Sequence, residues 1–379
     1  MSGTHSPLAP SSMARTVQCP GSVVMQQRYP EPDGPEAQEG EAAHWVFAEL
    51  VARSMDSGWV DTDYVAVGQI APNGVVVDQE MLEGAAMMAD HVAGRPNLDV
   101  ERRIDIRGIH PQCWGTPDAR SWYVSDRRYV FIDDFKYGHG FVDVFENWQL
   151  MAYARGCLDE YGIDGQAEQS TTFVLSIVQP RNYHRDGPIR TWTVPAVELR
   201  GYWNRMAAAC EEALGQNPSL RAGPECKHCT ARHACPTLQA AALDAVDTAG
   251  TAVALDLPTD AAAHEKRRLD WAIGQLQARS SGLEQQLLDA MKRGQHVPHF
   301  HVEHGAGREV WSKPAAEVLT LGQLYGVNLG KPVEPITPTQ ARERFGIATS
   351  GFTTRGTGEA KLVADSPFQA VKIFGGHKP

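Results

Sequence analysis

Residues 114–138, WGTPDARSWYVSDRRYVFIDDFKYG, constrain this chain more than any other stretch. Aromatic and β-branched residues flank a polar Ser125-Asp126-Arg127-Arg128, the pattern of two strands joined by a tight turn. Asp118 lies on the outgoing strand, Asp134 and Lys136 on the return. Positions two apart on a strand share a face, so Asp134 and Lys136 point the same way. If Ser125 sits opposite Tyr129, Asp118 falls opposite Lys136 and all three polar groups converge. A slip of one residue sends Asp118 to the other face. The converging register is expected, with a three-residue turn or a bulge to achieve it.

Two carboxylates together inside such an apolar pair are unfavourable unless a cation neutralises them. A hard divalent metal does this, and carboxylate oxygens are the ligands Mg²⁺ prefers. A lysine beside the metal then steadies the attacking water or the charge at phosphorus. Taken alone, D…D-x-K also describes a solvated surface hairpin with an Asp–Lys pair.

The motifs GTPD, IDDFKYG and NWQLMAYA together resemble the PD-(D/E)xK nuclease superfamily. Within it, the likeness is to the RecB-like branch, whose last motif is Q-x-x-x-Y, supplied here by Gln149 and Tyr153. More narrowly, the chain is similar to a phage and prophage family of that branch, described only as a domain of unknown function. That likeness covers most of the chain, including SSMARTVQCPGS and EGEAAH.

The resemblance implies an α/β, restriction-endonuclease-like fold, with a mixed central sheet flanked by helices. It implies a deoxyribonuclease that uses Mg²⁺ or Mn²⁺ held by Asp118, Asp134 and His44. Lys136 orients the water, Gln149 faces the site, and Tyr153 contacts substrate phosphate or fixes the lysine. His44 falls on a helix predicted over 35–55, with Phe47, Ala48 and Val51 on its face. A histidine there is ordinarily a core residue, and only the resemblance makes it a ligand. Glu101 opens a strand predicted over 100–106, where pairing with Arg103 or Arg120 is expected.

Cys226, Cys229 and Cys235 stand at C-x2-C-x5-C spacing, close enough to need a metal between them. With His233 they make a zinc Cys₃His set. With Cys19, far away in CPG, they make the four-thiolate set that the resemblance to AddB-type nucleases implies for a structural 4Fe–4S cluster. Seven cysteines at uneven spacing do not describe a disulfide framework, and Cys113, Cys157 and Cys210 read as free buried thiols.

A net charge of −11 argues against a protein that coats nucleic acid non-specifically, though a local basic lining remains compatible with it. Arg102, Arg103, Arg107, Arg120, Arg127 and Arg128 cluster near the organising strands, and Arg120, Arg181 and His184 are the candidate DNA contacts. No apolar run of about eighteen residues exists, and the first twelve residues lack a signal-peptide pattern. A cytoplasmic protein without a membrane partner is expected, in a bacterial host if the phage likeness holds.

The domains expected are a nuclease domain with its cluster over 1–246 and a mainly helical appendage over 247–379. A linker is read over 241–259, a hairpin around Gly305–Gly307, helices over 314–325 and 337–345, and an irregular tail from 349. Family likeness suggests an exonuclease of phage DNA replication or recombination, with DNA and a phage single-strand-binding or annealing protein as partners. The other class is a nucleic-acid-binding or scaffold protein that keeps the fold without turnover.

Overall fold

The computed structural model describes residues 6–31, 34–57, 65–182, 184, 186–249, 257–329, 338 and 346–364. In chain order the elements are α1 (Met13–Gln18), α2 (Ser22–Arg28), α3 (Pro35–Ser57), α4 (Gln79–Val92), β1 (Asp99–Val100), β2 (Ile104–Asp105), β3 (Trp114–Gly115), β4 (Ala119–Val124) and β5 (Arg128–Phe135). Then come α5 (Trp148–Glu160), α6 (Gly165–Gln169), β6 (Thr171–Val178), β7 (Ile189–Pro195), α7 (Arg200–Ala213), α8 (Pro236–Ala249), α9 (Thr259–Lys292), β8 (Phe300–Trp311), α10 (Ala315–Leu324) and β9 (Thr353–Ala364). The chain forms two compact units, Met1–Arg279 and Ser280–Pro379.

The first unit is a mixed α/β layer structure around a five-stranded sheet of order β1-β4-β5-β6-β7. β5 and β6 are parallel, and every other neighbouring pair is antiparallel. A parallel neighbour requires a crossover, and α5 supplies it. The sheet alternates as its sequence dictates. Val130 and Ile132 of β5, with Phe173, Leu175 and Ile177 of β6, pack into one core with α5 and α7. Phe135 and Val178 face the other way, into a core made by α3 and α4. Burial on both sides explains why Thr171-Thr-Phe-Val-Leu-Ser-Ile-Val178 carries almost no polar residue.

The strand expected over 100–106 breaks in two. Glu101 takes a left-handed backbone (φ 47°), so β1 joins the main sheet while β2 pairs with β3 outside it. The outgoing strand also breaks, at Thr116-Pro117-Asp118, because proline has no N–H for a ladder. Of the stretch read as a linker over 241–259, residues 241–249 continue α8 instead, and 250–256 lie outside the described residues. Alanine has the highest helix propensity, and here it prevails over weak periodicity.

In the second unit, no hairpin forms around Gly305–Gly307. β8 runs through them as one strand, paired with β9 and irregular between His304 and Glu309. Glycines in a strand mark such bulges as well as turns. The tail read as irregular contains β9 itself. The helix expected over 314–325 is present as α10, while the one over 337–345 lies outside the described residues. Val318, Leu321, Leu329 and Ile347 form this unit's small core.

Candidate metal centre

β4 and β5 pair with Ala119 opposite Asp133 and Val124 opposite Arg128. Residues 125–127 make the expected three-residue turn, in which the Ser125 N–H donates to the Arg127 carbonyl at 2.9 Å. Extending this register one step places Asp118 across from Asp134 rather than Lys136. The difference from expectation is two residues, so the face is preserved and the carboxylates still converge. One oxygen of Asp118 accepts the Phe135 N–H at 2.5 Å, and the other lies 3.2 Å from His44 Nδ1.

Asp134, Lys136 and Gln149 form a closed triangle. Lys136 Nζ donates to Asp134 Oδ1 (3.1 Å) and to Gln149 Oε1 (3.1 Å), and the Gln149 amide donates back to Asp134 Oδ1 at 2.8 Å. Asp134 Oδ2 sits 2.8 Å from the ammonium but receives no aligned hydrogen bond, although it is fully buried. Gln149 reaches the strand because α5 begins beside it. Asn147 caps that helix, its side-chain oxygen accepting from the N–H groups of Gln149 and Leu150.

Tyr153, one turn further along α5, does not reach Lys136 or open solvent. It is buried, and its hydroxyl donates to the Thr116 carbonyl at 3.0 Å. It therefore pins the turn that delivers Asp118, in place of the expected contact with phosphate or lysine. The residue that sequence reasoning missed is Glu101. Its left-handed backbone donates an N–H to the Asp118 carbonyl at 3.0 Å and brings its carboxylate 3.3 Å from His44 Nδ1. One ligand atom from each of His44, Glu101 and Asp118 lies within 4.8 Å of the others.

Electrostatics bind these groups into one site. Burial opposes the charged form of His44, yet Asp118 and Glu101 hold its imidazolium up to about 10. Burial pushes the Asp134 carboxyl up to about 6, against the pull of Lys136 and with the help of Asp118. Burial also works against charge on Asp118, but His44 and Lys136 keep it below the usual carboxylate range. Lys136 is held above its ordinary range by Asp134 and Asp118 despite its burial. When all are ionised, three carboxylates face two cations, one of which is a proton lodged on His44. A divalent cation taking the place of that proton fits the donor set of His44, Glu101 and Asp118, while Asp134, expected in that set, is engaged by Lys136 and Gln149 and lies outside the 4.8 Å group.

Of the three candidate DNA contacts, two have structural roles. Arg120 is fully buried, held by both oxygens of Glu160 (2.8 and 2.9 Å) and by Asp99 (3.0 Å), which rules out a surface contact. Arg181 is clamped by both oxygens of Glu39 (2.9 Å each) and by Glu80 (3.1 Å), with its guanidinium over the Tyr137 ring. Both carry charge already matched by carboxylates, which a sequence does not reveal. His184 lies at the surface, stacked on Phe141. Arg102, Arg103 and Arg107 remain exposed, in loose pairs with Asp99 or Asp105.

Cys19, Cys226, Cys229 and Cys235 line one pocket together with Arg15. Backbone N–H groups approach three of the sulfurs: Arg221 to Cys19 (3.3 Å), Gly223 to Cys226 (3.4 Å) and Leu238 to Cys235 (3.5 Å). Among the described residues, no three cysteine sulfurs come within 4.8 Å of one another. A single tetrahedral zinc needs its thiolates at about 3.8 Å, so no preformed zinc set exists. His233 does not line the pocket, and its ring packs edge-on against Tyr29. Cys113, Cys157 and Cys210 are buried free thiols of the core.

The model of a family described as "Protein of unknown function (DUF2800)" matches residues 5–369. The chain belongs to that family. Among solved structures, it is similar to one described as "Crystal structure of SSO0001", at 15% identity and a TM-score of 0.28, over 59% of this chain and 84% of that one. Among the described residues, no helix is long and apolar enough to cross a membrane.

Proposed function

We propose that this member of the DUF2800 family is a Mg²⁺- or Mn²⁺-dependent DNA nuclease, built on a restriction-endonuclease-like core of the RecB-like kind. The observation that carries the reading is the Asp134–Lys136–Gln149 triangle set beside His44, Glu101 and Asp118. A merely structural Asp–Lys pair has no need of two further carboxylates and a histidine next to it.

Asp118, Asp134 and His44 would hold the metal, with Glu101 as a fourth donor that also fixes the imidazole. When bound, the metal lowers the pKa of its water and screens the charge of the phosphate. Lys136 has three N–H donors, of which Asp134 and Gln149 engage two. The third is left for the attacking water or a phosphoryl oxygen, and the side chain is open enough to meet either. Gln149 keeps the ammonium from swinging away, and Tyr153 keeps Asp118 in place through Thr116.

The cysteine pocket is read as the seat of a 4Fe–4S cluster. N–H groups aimed at the sulfurs are what such clusters use to settle their charge. Arg15 adds a cation at the same pocket. The cluster would join Cys19 to the 226–235 segment and so close a very long loop. Anaerobically purified protein should be brown, with iron and sulfide in comparable amounts, and Cys19→Ser should bleach it. A colourless protein with one tightly held zinc, indifferent to Cys19→Ser, would remove the cluster from the account.

The nuclease reading is tested with end-labelled DNA in Mg²⁺ or Mn²⁺, with and without chelator. Hydrolysis that stops with chelator is expected. Lys136→Ala should slow it by about a hundredfold or more while DNA binding in Ca²⁺ barely changes. Binding without hydrolysis in any metal would instead favour a scaffold or binding protein that keeps the fold.

A further inference from the structure

The segment between Lys136 and Gln149 exposes two phenylalanines, Phe141 (49% exposed) and Phe145 (59%). A loose loop would bury such rings or let them wander, and this one does neither. Gln179, wholly buried, donates to the carbonyls of Gly138 and Gly140 and accepts the Val142 N–H. Arg190, also buried, donates to the Val142 carbonyl and to Gln179. Phe145 is fixed in turn by Asp143, which accepts its N–H. Two buried polar side chains thus serve to present apolar rings to water, an arrangement that makes sense when something covers the rings.

Each ring is backed by another. Phe141 stacks on His184 (4.9 Å, 21°) with the Arg190 guanidinium 4.9 Å from its centroid, and Phe145 tilts against Trp192 at 5.2 Å. Strand register ties the pair to the metal centre. Asp134 is level with Ile177 and Ile177 with Arg190, so Arg190 stands in the row of Asp134 on the same face of the sheet. Ile132, Leu175 and Trp192 form the next row on that face. Two strand spacings come to roughly 10 Å, a step of one to two nucleotides from a phosphate at the metal centre.

We propose that Phe141 and Phe145 form a stacking platform for unpaired bases of a DNA strand, so that the site takes single-stranded ends. Every base has a π-face, and stacking on aromatic side chains is how proteins hold single strands without reading sequence. A duplex keeps its bases stacked on each other and has none to give. This inference rests on the nuclease reading of the same site.

The test is binding of a short fluorescein-labelled oligothymidylate in Ca²⁺, where no turnover is needed. Phe141→Ala and Phe145→Ala should each weaken it by about tenfold, while the corresponding tryptophan variants keep it. Both side chains are exposed, so melting temperatures should hardly move. A duplex of equal length should bind the wild type more weakly and ignore the substitutions. Unchanged single-strand affinity in the double alanine variant overturns the proposal. So does full rescue by Phe141→Leu with Phe145→Leu, which would mark a protein-docking surface instead. Hydrolysis is scored separately. A wild type that cleaves nothing but shows this binding pattern loses the nuclease reading and keeps the platform. One that cleaves single strands equally well without either ring loses the platform alone.

Discussion

Asp133 and Asp134 are neighbours in the chain, both buried, and the two faces of β5 treat them in opposite ways. On the α4 face, Asp133 has one oxygen 2.9 Å from His91 and the other 2.5 Å from Arg95, so both of its oxygens are engaged and a guanidinium matches its charge. On the α5 face, Asp134 has one ammonium, which it shares with the field of Asp118, and one oxygen with no aligned donor. A buried carboxylate with surplus partners stabilises a fold. One with a deficit is held at a disadvantage by the rest of the structure, and that disadvantage is relieved by a cation.

The largest effect that separates the two faces should be on turnover. Asp134→Ala should abolish hydrolysis, by about a thousandfold or more on the scale of losing electrostatic groups at a reaction centre. Asp133→Asn should retain it at temperatures where the protein is folded. The reverse pattern would mean that the metal sits on the α4 face.

Stability should invert the ranking. Asp133→Asn leaves Arg95 and His91 without their anion, a loss on the order of 3 kcal/mol, and melting in chelator should fall by roughly 5–10 °C. Asp134→Asn removes a charge that folding disfavours. Its carboxyl titrates near 6 in the folded chain against an ordinary 3.8, so the fold is penalised as pH rises through that window and fully penalised above it. In chelator at pH 7.5, Asp134→Asn should therefore melt no lower than wild type. An equal fall in both variants would make Asp134 a second strut.

Glu101→Gln sharpens the site from its other edge. Metal affinity, read by Mn²⁺ titration, should drop by about tenfold, as for groups that orient a ligating histidine. An unchanged affinity would take Glu101 out of the metal centre and leave it the ion-pairing role that its sequence suggested.

The smallest effect is a proton count. The His44 imidazolium persists to about 10 against an ordinary 6.5, so its contribution to the metal-free fold is full below 6.5 and fades as pH rises towards 10. Near pH 7.5 a metal on Nδ1 must displace that proton. Binding heats should then differ between buffers of unlike ionisation enthalpy, and identical heats would take His44 out of the ligand set.

Much of this site was legible because local periods decide faces. Two-residue spacing put Asp134 beside Lys136, four-residue spacing put Gln149 and Tyr153 on one side of α5, and neither depends on distant partners. The exact register was not legible, since it depends on how Ser125, Asp126 and Arg127 turn. Nor was Glu101, because nothing in a sequence announces a glutamate with positive φ. Arg120 and Arg181 misled for a related reason. Their carboxylates, Glu160 and Glu39, lie 40 and 142 residues away, and a cation's partner is a tertiary fact. The second unit was least legible of all: β9 finds its partner β8 some fifty residues earlier, through glycines that read equally well as a turn.

The deficit around Asp134 is proposed to mark a metal site. The most direct measurement is an anomalous difference map from crystals of the protein grown or soaked with Mn²⁺. A peak is expected within bonding distance of Asp118, Asp134 and His44. Well-ordered crystals with Mn²⁺ bound elsewhere, and these three side chains still paired only with each other and Lys136, would contradict it.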